Sequence, residues 1–137
     1  MSLVLLNNGK SSFLNGINAT FGSTFRIRLF QNNYTPIATT VIADFTEANF
    51  SGYASQLMGS GTVSGPDGSN RWVLTFAQRT WTKSGATGNS IYGYWVEQAT
   101  PTAMWAERFA AAPIDMNTDG NSIVMTPLVT MKSEFSN

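Results

Sequence analysis

Hydrophobic and polar residues alternate along much of this chain with a period of two, as in strands that bury one face. The clearest run is 24–31, where Phe25, Ile27 and Leu29 share one face and Arg26, Arg28 and Phe30 the other. Thr39-Thr40-Val41-Ile42 reads as a short β-branched strand, and residues 53–58 alternate weakly. Residues 72–76 form a strand that 78–82 continues after a bend, with Thr80 and Thr82 opposite Arg79, Trp81 and Lys83. Residues 91–96 are the most apolar run and predict a central strand buried on both faces, with Gly93 admitting a close neighbour. Residues 103–109 read as its antiparallel partner. Asp119-Gly120 turns the chain into 122–126, and 128–131 continues the line. Pro127 cannot donate to a ladder, so this last strand is expected at an edge or with a bulge.

Turn formers separate these runs. Residues 59–70 read as a loop excursion with a tight turn at Pro66-Asp67-Gly68, and 84–89 as a flexible loop. About seven or eight strands punctuated in this way predict an all-β fold, an antiparallel β-sandwich for which a jelly roll is one fitting topology.

Two stretches depart from the pattern. Residues 1–20 predict a short N-terminal arm ahead of a β-sandwich domain over 21–137. Leu3, Val4, Leu5 and Leu6 form an apolar run, and Asn8 is placed to cap one or two helical turns through Phe13, Leu14 and Ile17, with Asn15-Gly16 as the stop. Phe13, Leu14 and Ile17 can fold back on their own domain, or the arm can dock on a neighbouring subunit; Leu3, Val4, Leu5, Leu6 and Phe13 are the candidate assembly contacts. The second stretch, 44–53, mixes aromatics, carboxylates and turn formers. Asp44 or Thr46 can cap a helical turn that Gly52 ends, while Phe45, Phe50 and Tyr53 anchor it. It predicts a corner that fixes how two strands cross.

The 137 residues and 42% hydrophobic content suit one domain with a real core. Eight basic and eight acidic residues cancel, and only 12% of residues are charged, about half the usual roughly 25%. Such a surface suits a chain partly covered by neighbours. Neutrality argues against nucleic acid and against an anionic membrane as partner. The four-residue apolar run is far too short to cross a bilayer, and no secretory leader is expected. With no Cys and no His, disulfides, thiolate metal sites, Cys nucleophiles and the commonest general base are absent.

The remaining chemistry is thin. Glu97 and Glu107, on strands expected to pair, could serve glycoside hydrolysis, but solvated strand-end charges are the simpler reading. Asp115-Met116-Asn117-Thr118-Asp119-Gly120 fits the first half of a calcium loop; its twelfth position is Thr126 instead of Glu, so a hairpin turn is the better reading. Trp72, Trp81, Trp95 and Trp105 could stack sugars, with Trp81 the candidate exposed aromatic beside the 84–89 loop, although Trp in a small sandwich usually fills the core. Lys10, Lys83 and Lys132 sit in no Ser–Lys motif, and Gly59-Ser60-Gly61 lacks the context of a phosphate loop. No catalytic, metal or cofactor-binding residue is assigned, and no cofactor is expected.

A string of short motifs carries a resemblance: Arg28-Leu29-Phe30-Gln31-Asn32-Asn33, Thr35-Pro36, Ala43-Asp44-Phe45-Thr46-Glu47-Ala48, Phe50-Ser51-Gly52-Tyr53, Tyr92-Gly93-Tyr94-Trp95-Val96, Trp105-Ala106-Glu107-Arg108-Phe109 and a closing Thr-Pro-Leu strand. In their order, over most of the chain, these resemble small structural proteins of tailed bacteriophages. The resemblance implies a β-sandwich bound to a virion; within that reading a capsid decoration (cement) protein on the shell surface is expected in preference to a tail component. It implies no enzymatic activity and no site residues. The partners would be the major capsid protein or other virion proteins, and further copies of the chain, with a trimer matching local lattice symmetry. Loops 59–70 and 84–90 and edge strands would make the contacts. The alternative is a tail-fibre tip or carbohydrate-binding module for host-surface recognition.

Overall fold

The computed structural model describes residues 6–21, 24–98 and 102–132. In chain order the elements are α1 (Asn7–Phe21), β1 (Arg26–Phe30), a 3-10 turn (Ile42–Asp44), β2 (Gln56–Leu57), β3 (Thr62–Ser64), β4 (Arg71–Thr75), β5 (Arg79–Thr82), β6 (Asn89–Ile91), β7 (Gly93–Gln98), β8 (Thr102–Arg108), β9 (Ile114–Met116), β10 (Ser122–Met125) and β11 (Leu128–Lys132). Every strand pairing among the described residues is antiparallel. The expected all-β, sandwich-like class holds: among the described residues the sheets are open and none closes into a barrel. The chain divides into two compact units.

The first unit holds residues 6–21, 58–78 and 126–132. Its sheet runs β11-β4-β3, with β4 in the centre. Leu74 pairs Val63 on one side and Val129 on the other, so these apolar residues share a face. Helix α1 packs against β3 and β4. It buries Lys10 and Leu14, with Ile17 and Asn18 half-buried, the i, i+4, i+7, i+8 spacing of one helical face. The helix therefore runs through Asn15-Gly16, which the sequence reads as a stop, because packing of this face outweighs the weak propensity of Gly16. Asn18 clasps the start of β3: its Nδ2 donates to the Gly61 carbonyl at 2.8 Å and its Oδ1 accepts from the Gly61 N–H at 2.7 Å. Strand β3 itself lies inside the stretch read as a loop. Gly61 permits it, since a Cβ there would sit 2.6 Å from the Thr75 carbonyl oxygen. The turn between β3 and β4 is shaped by Asp67, whose carboxylate accepts from the Ser69 and Arg71 N–H groups and from Arg71 Nε.

The second unit holds residues 24–57, 79–98 and 102–125. Its main sheet runs β2-β1-β7-β8, and the ribbons β5–β10 and β6–β9 complete it. The apolar run 89–98 changes partner at Tyr92: β6 pairs β9, whereas β7 lies between β1 and β8. β7 is buried along its length except at Gln98, as the sequence predicts. Gly93 is required there, since a Cβ would approach the Glu107 carbonyl oxygen to 2.2 Å and the Phe30 ring to 2.5 Å. The stretch 122–131, expected as one line, divides into β10 and β11 in separate sheets; β11 is an edge strand, as Pro127 led one to expect.

The corner at 44–53 anchors the core of this unit. Phe45 stacks on Trp95 with ring centroids 5.1 Å apart, meets Phe30 at 5.0 Å, and takes Tyr34 edge-on. Glu47 bridges to Phe30, so the corner also extends the sheet. Residues 39–42 are not the strand that their β-branched side chains suggest. The Val41 N–H is taken by Asp44 Oδ2 and the Ile37 N–H by Thr40 Oγ1, so local side chains satisfy the backbone and close a turn.

Candidate functional site

The second unit carries a groove along the outer edge of β8. Alternation places Trp95, Glu97, Ala103 and Ala106 on one face of the sheet, with Arg28 opposite Trp95. A bulge between Val96 and Glu97 adds Met104 as the extra residue of β8. Ala103 and Ala106 lie against the Phe30–Phe45–Trp95 cluster. Two methyl groups beside large rings leave space, and a groove of about 360 Å³ opens between β8 and residues 36–40, with Phe45 in its lining. A second hollow of about 370 Å³ adjoins it at Thr40, Val41, Ile42, Thr102 and Ala103. None of the lining residues is charged. Ile37, Val41 and Met104 stand 66%, 56% and 48% exposed around it. Among the described residues no strand pairs with the outer edge of β8. The uncharged groove thus adjoins a strand edge that no described strand covers.

The same sheet face carries an ion network. Arg28 Nε donates to Glu97 Oε1 at 2.5 Å, and Arg28 Nη1 donates to both oxygens of Glu47 at 2.7 and 2.8 Å. Trp95 Nε1 donates to Glu97 Oε2 and the Tyr53 hydroxyl to Glu47 Oε1. Burial works against the Arg28 charge, but its bonds to Glu47 and Glu97 raise its pKa. Burial, together with the Glu47 carboxylate, pushes the Tyr53 phenol well above its ordinary value. The network holds the 44–53 corner to β1 and β7. The sequence signals it only weakly, because Arg28 falls on the nominally outward face of its strand and Glu47 lies in an irregular segment.

The other sequence candidates are dispersed. Glu107 faces the opposite side of the sheet from Glu97, where its Oε2 accepts from the Tyr94 hydroxyl at 2.9 Å. The two carboxylates are therefore not a pair flanking one bond. Asp115 Oδ1 accepts from the Asn117 N–H and side-chain amide. Asp119 Oδ1 accepts from Lys83 Nζ at 2.5 Å and from the Gly85 N–H at 3.0 Å, and its pKa is lowered by these bonds, the Lys83 one foremost. Both acids serve turns, and among the described residues no cluster of acidic side chains is placed to hold a metal.

Trp81, the candidate exposed aromatic, is 2% exposed. It lies on the inner face of β5 opposite buried Ile123, and its indole N–H donates to the Ala54 carbonyl at 2.8 Å. The adjacent loop does not expose it, because that loop is tied to the corner by Ser51 and Thr87. Leu6 and Phe13 are 72% and 55% exposed, seven residues apart and so on one side of the helix. Leu3, Val4 and Leu5 lie outside the described residues. No helix among the described residues is long and apolar enough to cross a membrane. Comparison with protein-family models, with curated proteins and with solved structures gives no match to this chain.

Proposed function

We propose that this chain is a non-enzymatic structural protein that works by docking, and that it attaches to a tailed-phage particle as a capsid decoration protein. The observation that carries the docking reading is the uncharged groove along the open β8 edge, ringed by exposed Ile37, Val41 and Met104. An edge strand offers backbone hydrogen bonds and the uncharged groove offers room for side chains, which together suit strand addition. The sparse charge of the chain also suits a surface shared with neighbours. The virion assignment rests on the order of sequence motifs. Repeated copies on a lattice would turn weak single contacts into firm attachment. The major capsid protein and further copies of this chain are the partners of this reading. The carbohydrate-binding alternative loses its leading residue with the burial of Trp81.

The test is cryo-electron microscopy of particles that carry the protein. Density over capsomer junctions or symmetry axes is the expected result. Density confined to the tail moves the protein to host recognition, and absence of density from the particle rejects the virion role.

A further inference from the structure

The groove beside β8 has a matching segment within the same sequence. An occupant must bring apolar side chains and no charge. Residues 3–6, Leu-Val-Leu-Leu, meet both requirements. They lie outside the described residues except for Leu6, which stands exposed immediately before α1. Extended, four residues span ~13 Å. The register on β8 shifts at Met104, which leaves residues 105–108 as an uninterrupted stretch of the same four-residue length. Alternate side chains of an added strand point the same way, toward the groove that Phe45, Ala103 and Ala106 line.

We propose that residues 3–6 of one copy add as a strand to the β8 edge of a second copy and fill its groove. Reciprocal exchange closes a two-fold dimer, and head-to-tail exchange closes a ring such as a trimer. This inference rests on the docking reading of the groove and not on the virion role.

The decisive experiment pairs two defective proteins. One lacks residues 2–5 and keeps its groove. The other keeps those residues and carries Ile37→Glu with Met104→Lys, at positions already exposed, so that the groove becomes charged. Light scattering after size exclusion should show the full chain as an oligomer of the 14.9 kDa protomer. Each variant alone should self-associate weaker by on the order of 100-fold, with unchanged tryptophan fluorescence as the fold control. Mixed, they should form a one-to-one heterodimer, since each supplies what the other lacks. The chain has no Cys, so a Val4→Cys copy mixed with a Met104→Cys copy should give a cross-linked dimer. A monomeric full chain, undiminished self-association of both variants, or an internal cross-link within one double-variant chain overturns the proposal. A full chain that decorates particles as a monomer overturns the exchange alone. One that exchanges strands but binds no particle overturns the virion role alone.

Discussion

The two units bury side chains by different means. The first covers a three-stranded sheet with one helix, and its fully buried side chains include Leu14 and Leu74. Its helix starts with no acid in the first turn, ends with no base in the last, and contains Gly16. The second closes a four-stranded sheet with an aromatic stack and a charged network around Arg28. A helix with poor intrinsic propensity depends on the face it buries, whereas interlocked rings and bonded charges resist local opening. The first unit is therefore expected to open at lower free energy than the second.

That comparison can be broken directly. Phe45→Ala removes the ring that meets Phe30, Tyr34 and Trp95, and should destabilise by about 3–5 kcal/mol, with protection from hydrogen exchange lost in β1, β7 and β8. Leu14→Ala should remove about 2–4 kcal/mol, with the loss centred on α1, β3 and β4. Equal loss across both units in either variant would make them one cooperative body. Arg28→Met leaves Glu47 and Glu97 without their shared cation, and a loss of about 2–3 kcal/mol in urea is expected. A smaller effect would mean that the tyrosine and tryptophan bonds alone position the corner.

The next test uses alkali. Burial holds the Tyr53 and Tyr94 phenols above their ordinary value, aided by Glu47 and Glu107 respectively. The folded chain then keeps protons that the unfolded chain releases near pH ~10. The resulting stability is full below that pH and declines as pH rises above it. Melting temperature should fall through this window in the parent protein and fall less in Tyr53→Phe with Tyr94→Phe. The smallest effect belongs to Gly16→Ala. Nothing lies within 4 Å of a Cβ at this position, so the first unit should gain about 0.5–1 kcal/mol in the same urea titration.

Strands defined by burial were legible in the sequence: β1 lies where a period of two puts it, β7 where an unbroken apolar run marks a strand buried on both faces, and β4 and β8 where their apolar runs fall. Segments governed by local hydrogen bonds were not. Thr40 and Asp44 capture the backbone around Ile37 and Val41, so β-branched residues form a turn. Gly61 hides a strand edge that depends on the distant Asn18. The groove was illegible for a related reason. It arises from two alanines that become neighbours of Phe45 and Trp95 only after folding, with a bulge that no single residue announces. Trp81 shows the opposite error, since proximity to a glycine-rich loop in sequence does not expose a ring whose strand turns it inward.

The clasp between Asn18 and Gly61 has a consequence for solubility. A side-chain amide there takes up both backbone groups of Gly61, the residue just before edge strand β3, that another chain could otherwise bond. It acts as a stopper against runaway sheet growth, a hazard of exposed edges in a protein with little charge to keep molecules apart. Asn18→Ala would unplug that edge, and insoluble material on concentration, more than a lowered melting temperature, would be its signature.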